Sequence, residues 1–296
     1  MSSSTKIGFI GQGWIGRNYA NDFEGRGYSV VRYGLEKEYS NNKKLIPDCD
    51  IVFVAVPTPT TKDGFDSSIV ENALALVGKG KTAVIKSTIL PGTTKKMQEK
   101  FPHIYVFHSP EFLREMHAAH DASFPKRNII GVPHESDEHI KRAHLVLEVL
   151  PDAPFSKVMS ATEAELVKYI GNCFLYKKVV FFNQMYDLVS SFGLDYNQVR
   201  EAIAHDDRIG ESHTIVAHAS GHTQHILGRG AGGHCFIKDF EALIEIYEKQ
   251  LPEDIYGHEA LHAIKKKNYD LLINSGKDLD LLEGVIGDIT IYAKNK

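Results

Sequence analysis

Lys6-Ile7-Gly8-Phe9-Ile10-Gly11-Gln12-Gly13-Trp14-Ile15-Gly16 decides the fold of this chain. An apolar run of strand length enters three glycines spaced G-x-G-x-x-G, and an amphipathic stretch follows at 15–25. The first glycine permits a tight turn, the second lets backbone approach a pyrophosphate, and the third lets helix and strand pack closely. The free N–H groups at the helix start then face the phosphates. A glycine turn with no ligand is the bland alternative. It is disfavoured by what comes next in the chain.

Working outward, apolar strand patterns recur at 28–33, 51–56, 82–86, 104–107 and 128–132, with helical patterns at 67–78, 93–100 and from about 137. Ile51 to Val56 is continuously apolar, as a central strand covered on both faces requires. This β-α-β alternation predicts an α/β fold with an N-terminal doubly wound parallel Rossmann sheet. Near residue 155 the texture changes. Ala161 to Phe192 reads as one long central helix, without Pro. A short helix near 195–205, an irregular stretch from 205 to 233, and amphipathic helices at 239–249 and 258–274 follow. The tail at 279–293 has a weak pattern, helix or short strand. The expected domains are therefore 1–158, dinucleotide-binding, and 159–296, the long helix with a C-terminal all-helical domain.

Composition narrows the function classes. The chain has 296 residues, 43% of them apolar, and a formal charge of −4. With no excess of Lys and Arg, a nucleic-acid partner is not expected. Lys265-Lys266-Lys267 lies in a helical pattern and reads as a solvated face. No apolar stretch reaches the length of a membrane span, and residues 1–6 contain no signal core. Three widely spaced cysteines give neither a disulfide framework nor a metal-type pair, which fits a cytoplasmic setting. His213, His218, His222, His225 and His234 crowd one region, but their spacing matches no zinc pattern, so no metal is expected. They are read as decorating a loop over the active site.

Gly230-Ala231-Gly232-Gly233-His234-Cys235-Phe236-Ile237-Lys238-Asp239 is the most informative stretch for chemistry. Glycines ahead of a helical pattern place Cys235 near a helix N-terminus, where the dipole stabilises a thiolate and Lys238 adds positive charge. Asp239, four residues on, shares its face. Cys49 and Cys173 lack such surroundings and read as buried structural cysteines.

With these residues the chain resembles the UDP-glucose/GDP-mannose dehydrogenase family, from Lys6 to about Ala263. The resemblance is carried by Val54-Ala55-Val56-Pro57-Thr58-Pro59 with Asp63-Gly64-Phe65-Asp66, by Lys86-Ser87-Thr88-Ile89-Leu90-Pro91-Gly92-Thr93, by Ser109-Pro110-Glu111-Phe112-Leu113-Arg114-Glu115, by Glu165-Leu166-Val167-Lys168 with Asn172, by Asp207-Arg208-Ile209-Gly210, and by the cysteine segment. It implies a nucleotide-sugar 6-dehydrogenase: a sugar C6 alcohol, UDP-glucose first among substrates, oxidised to the acid with two NAD through a Cys235 thiohemiacetal and thioester. In that scheme Lys168 and Asn172 stabilise an oxyanion, Asp239 and Thr88 orient a water, and Glu111 and Glu115 serve substrate contact and thioester hydrolysis. Phe112, Leu113, Arg114, Arg208, Gly230 and Gly232 contact substrate. Gly11, Gln12, Gly13, Trp14, Ile15, Gly16, Thr58, Thr88, Glu115 and Lys238 hold the cofactor. Relatives pair through the helical region, so a homodimer is expected.

Four departures stand out. The family's third, C-terminal domain is not expected in a chain ending at Lys296. The connection after the second strand is short, which trims one Rossmann helix. Glu211 to Leu227 is histidine-rich. The fingerprint acid, due about 20 residues after the first glycine, is missing from the strand end: Glu36 in the next turn supplies it, or Arg32 and Lys37 favour NADP. Two other readings compete: a two-electron β-hydroxyacid-type dehydrogenase, which shares the Rossmann-plus-long-helix plan and uses the helix lysine but no cysteine, and a truncated, non-catalytic nucleotide-binding protein or a subunit needing a partner.

Overall fold

The alternation of large apolar side chains along the first strands fixes which face each covers. In the computed structural model, which describes residues 5–61, 64–114, 117–220, 222 and 225–293, β1 (Lys6–Ile10) and β3 (Ile51–Val54) send Ile7, Phe9, Ile51 and Phe53 to one side and Ile10, Val52 and Val54 to the other. The first side is closed by Tyr19 and Phe23 of α1 (Trp14–Gly25) and by Ala143 and Val146 of α5 (Asp137–Val149). The second is closed by Val70 and Leu74 of α2 (Ser68–Leu74) and Met97 of α3 (Thr93–Lys100). Covering both faces is what a parallel sheet of continuous apolar strands demands.

The remaining strands are β2 (Ser29–Tyr33), a short ribbon of β4 (Thr60–Thr61) and β5 (Gly64–Phe65), β6 (Thr82–Ile85), β7 (Tyr105–His108), β8 (Arg127–Val132) and β9 (Phe155–Ser160). The main sheet among the described residues is seven-stranded, in the order β2-β1-β3-β6-β7-β8-β9. All pairings are parallel except β7 with β8, which meet antiparallel at His108 and Gly131. The sheet is the doubly wound, mostly parallel Rossmann sheet expected, with this one inversion added. The edge strand β9 is invisible to pattern reading, because Phe155, Ser156 and Lys157 are exposed and show no two-residue alternation. Where a second crossover helix would stand, Ser40–Asp48 forms a 3-10 segment, and α4 (Ala118–Ser123) is a further short helix.

β9 runs directly into the long helix α6 (Ala161–Ser191), after which come α7 (Tyr196–Ala204), α8 (Gly233–Gln250), α9 (Ile255–Ser275), α10 (Leu279–Ile286) and α11 (Thr290–Ala293). The chain divides into two compact units, Met1–Pro59 with Phe65–Lys168, and Thr60–Gly64 with Tyr169–Lys296. The second has its own core, in which Cys173, Tyr176 and Val180 of α6 pack with Phe240 and Ile244 of α8 and Leu261 of α9; the Tyr176 and Phe240 rings stack at 3.9 Å. α8 starts at Gly233 rather than near Asp239, because Gly232 is extended at its N-cap and the helix includes Cys235 in its first turn. The lysine run is also not simply solvated: Lys265 pairs with Glu241 at 3.0 Å and Lys267 with Asp187 at 3.5 Å.

Candidate active site

The glycine turn between β1 and α1 has the geometry a dinucleotide requires. Gly11 has φ +93, and a Cβ there would lie 2.2 Å from the Ala55 carbonyl oxygen; a Cβ at Gly16 would lie 1.9 Å from the Gly11 carbonyl oxygen. Gly13 faces open space and caps α1 without a side chain, so the helix N–H groups are left to a ligand. A cavity of about 590 Å³ opens here, lined among others by Gln12, Trp14, Ile15, Tyr33, Glu36 and Val56. Glu36, in the turn after β2, lines this cavity, and its Oε2 would sit 2.2 Å from a Cβ at Gly34. Arg32 is unavailable for a 2′-phosphate, since Glu24 takes it at 2.9 and 2.6 Å and Asn21 at 2.8 Å. Thr58 is buried and donates to the Thr88 carbonyl at 2.8 Å, while Ser87 braces both the N–H and the carbonyl of Val56.

At the ends of β6 and β7 a buried polar cluster forms within the first unit. Lys168, 7% exposed, holds its Nζ 3.8 Å from Glu111 Oε2 and 5.8 Å from the Phe112 ring. The Leu113 N–H donates to Glu111 Oε1, and Arg127 lies over Phe112 at 3.7 Å. Pattern reading missed two members. Lys86 is buried, donates to Ser109 Oγ at 3.2 Å and lies over the Tyr19 ring. Burial pulls its ammonium down to about 8, against Glu111 and helped by Lys168. His108 is buried with both ring nitrogens unpartnered among the described residues, and burial, with Lys86 adding, lowers it to about 3. Three residues before Lys168 on α6, Glu165 is fully buried and accepts from the Gly92 N–H at 2.5 Å and from the Thr94 N–H and hydroxyl at 2.8 and 2.6 Å. It thereby caps α3, whose own N-cap, Gly92, has no side chain to do so.

In the second unit the cysteine segment supplies a thiol in the first turn of α8. Cys235 is exposed, whereas Cys49 and Cys173 are buried; burial pushes Cys49 up to about 11 and Cys173 higher still. Asp239, 1% exposed, accepts from Lys238 Nζ at 2.8 Å and from Asn172 Nδ2 at 2.6 Å. Burial opposes the Lys238 charge, but Asp239 and the Cys235 thiolate outweigh it and raise its pKa. Asn172 gives one Nδ2 hydrogen to Asp239, so along α6 the i, i+4 pair Lys168 and Asn172 engages two different carboxylates, Glu111 and Asp239.

The NAD binding domain of the UDP-glucose/GDP-mannose dehydrogenase family matches residues 32–147, and the central domain of the same family matches residues 162–269. The chain belongs to this family. It is 30% identical over 256 residues to the UDP-glucose 6-dehydrogenase of Streptococcus pneumoniae, covering 81% of this chain and 62% of that protein. To the UDP-glucose 6-dehydrogenase of Pseudomonas aeruginosa it is 32% identical over 245 residues, covering 75% of this chain and 49% of the relative. The structure of a UDP-glucose dehydrogenase from Pyrobaculum islandicum superposes with a TM-score of 0.72 at 28% identity, over 88% of this chain and 68% of that one. The chain spans about half to three-fifths of the length of the curated relatives it matches. As a member of the family it carries an NAD-binding domain, and the glycine turn, the cavity and Glu36 fit that cofactor.

Other residues singled out by the family motifs have plainer surroundings. Arg208 is exposed and paired with Asp206 at 2.6 Å, and Arg114 is exposed and forked onto Asp121. Glu115 and Asp63 lie outside the described residues. Gly230 is buried with its carbonyl bound by Lys277, and Gly232 packs against Asp278. No group of three metal-ligating side chains occurs among the described residues, and no described helix is long and apolar enough to cross a membrane.

Proposed function

We propose that the chain is the catalytic part of a nucleotide-sugar 6-dehydrogenase that oxidises a sugar C6 alcohol to the acid, with UDP-glucose as the first substrate to test. The observation that carries this reading is the exposed Cys235 thiol in the first turn of α8, followed by Lys238 and a buried Asp239 that also holds Asn172. A helix N-terminus and a neighbouring ammonium favour the thiolate. NAD, which Gly11, Gly13 and Gly16 would hold with Glu36 beside them, would supply the hydride acceptor for each of the two oxidations. Asp239 and Thr88 orient the water that takes the alcohol proton. Cys235 adds as thiolate to the aldehyde carbon, and the second oxidation leaves a thioester at Sγ. Water cleaves the thioester to release the acid and return the thiol; Glu111 and Glu115 serve that hydrolysis. The buried ammonium of Lys168 and the amide of Asn172 stabilise the negative oxygen. Phe112, Leu113, Arg114 and Arg208 contact the substrate. This chemistry suits a reducing compartment such as the cytoplasm.

Incubation of the protein with NAD and a panel of UDP- and GDP-sugars tests the reading, with NADH absorbance as the signal. The expected result is two NADH per sugar consumed. One NADH per sugar, unaffected by Cys235→Ser, would refute it in favour of a two-electron hydroxyacid-type oxidation. No NADH with any sugar would favour a non-catalytic nucleotide binder.

We also propose that the chain works as a homodimer. Ile170, Phe174, Phe181 and Leu188 are 60%, 63%, 52% and 51% exposed at steps of four and seven residues along α6. Such a stripe is what two copies of one helix bury against each other.

A further inference from the structure

Lys277 and Asp278, in the turn between α9 and α10, are 0% and 1% exposed. Asp278 has φ 53, a left-handed backbone that is unfavourable for a non-glycine residue. Its carboxylate is used on the cysteine loop. Oδ2 accepts from the Gly233 N–H at 2.8 Å, and Oδ1 accepts from Ser220 Oγ at 2.7 Å. Gly232, the N-cap of α8, has no side chain to offer, and a Cβ there would lie 2.1 Å from Asp278 Oδ2. Lys277 Nζ donates to the Gly230 carbonyl at 3.1 Å and to His218 Nε2 at 3.0 Å. Burial, with Lys277 adding, draws His218 down to about 4, which keeps its ring neutral and able to accept.

The neighbouring loop residues are held from the same side. His218 and Gly228 exchange backbone hydrogen bonds at 3.1 and 3.2 Å. The Arg229 N–H donates to Ser275 Oγ, and both backbone groups of Ala231 pair with the Asn268 side chain. The loop is therefore fastened at residues 228, 229, 230, 231 and 233, immediately before the turn that carries Cys235.

We propose that Lys277 and Asp278 are positioning residues for Cys235: together they fix the glycine loop and cap the first turn of α8, so that the helix N–H groups stay aimed at the thiol. The proposal rests on the reading of Cys235 as nucleophile, but it is tested on the thiol itself. Iodoacetamide reacts with the exposed Cys235, while buried Cys49 and Cys173 report unfolding. Asp278→Ala and Lys277→Met are each expected to slow alkylation at pH 7 about tenfold, by losing most of the helix-terminus stabilisation of the thiolate. Asp278→Asn, which keeps an acceptor for Gly233, is expected to stay within about twofold of the parent. Where sugar oxidation is measurable, kcat falls in parallel and KM stays within about twofold. Parent alkylation rates in both Asp278→Ala and Lys277→Met, with Cys173 still protected, overturn the proposal. If either variant exposes Cys173, Ser220→Ala decides: a rate about two- to threefold slower supports it, and the parent rate overturns it. Failure of the dehydrogenase reading would instead appear as no NADH from the parent protein, with the alkylation order intact.

Discussion

Two helices of this protein begin at a glycine and borrow a carboxylate from far along the chain. α3 has Gly92 as its N-cap and is capped by Glu165; α8 has Gly232 as its N-cap and is capped by Asp278. Each unit also buries one lysine, Lys86 or Lys277, that burial pulls down to about 8. The caps differ in what they carry. Glu165 serves three donors around Gly92 and Thr94 and is fully buried. Asp278 serves a loop whose next turn presents an exposed thiol. The same device thus holds a framework helix in one unit and, in the other, the helix that presents the proposed nucleophile. Energetically the first should appear as stability and the second as rate.

The largest test of that division is Cys235→Ser. Removing the nucleophile is expected to lower NADH production by about a thousandfold or more, roughly 4 kcal/mol of transition-state stabilisation. The urea midpoint should not move, because Cys235 is exposed and α8 keeps its cap. A serine variant with parent turnover would remove the thiol from the mechanism. Glu165→Ala is the converse. It leaves the Gly92 and Thr94 N–H groups buried without acceptors and is expected to cost about 3 kcal/mol in urea unfolding. A loss below about 1 kcal/mol would mean the α3 cap is not structural.

How much of this was legible in the sequence depends on how local the evidence is. The glycine turn, the apolar β3 and the run from Cys235 to Asp239 are contiguous, so their meaning is readable from spacing alone. The caps are not. Asp278 acts on a backbone N–H 45 residues away, and nothing about an isolated Lys-Asp pair signals that. His108 and Lys86 gain their character from burial at strand ends, and β9 hides because an edge strand need not alternate. The amphipathic pattern of α8 reads only from Asp239, because the glycines before Cys235 read as loop; the helix begins at Gly233, whose N–H the remote Asp278 accepts.

The buried lysines offer a smaller, pH-dependent test. Lys86 has a folded pKa of about 8 against an ordinary 10.5, so the native state binds fewer protons between those values. Its contribution to stability is fully present above the unfolded pKa and is lost as pH falls through about 8. Lys86→Met removes that slope. Between pH 8 and pH 10 the urea stability of the parent is expected to rise relative to the variant by about 2 kcal/mol. A gap that stays flat with pH would show that Lys86 keeps its charge, and that Glu111 offsets its burial fully.

The smallest expected effect concerns the cofactor end of the first unit. Glu36 lines the cavity where the acid usually found at the strand end is missing, and Gly34 leaves room for its carboxylate; if it is the ribose acid, its removal has a readable effect. A carboxylate there accepts from the adenosine ribose hydroxyls and repels a 2′-phosphate. Glu36→Ala is expected to weaken NAD binding about tenfold, roughly 1.4 kcal/mol. It should bring NADP closer to NAD without making it preferred, since Arg32 stays locked to Glu24 and Asn21. Trp14, the single tryptophan of the chain, lines the same cavity, so quenching of its fluorescence reads both affinities directly. Unchanged NAD affinity would move the ribose acid elsewhere. A strong gain for NADP would mean that Lys43, which also lines the cavity, supplies the cation that Arg32 does not.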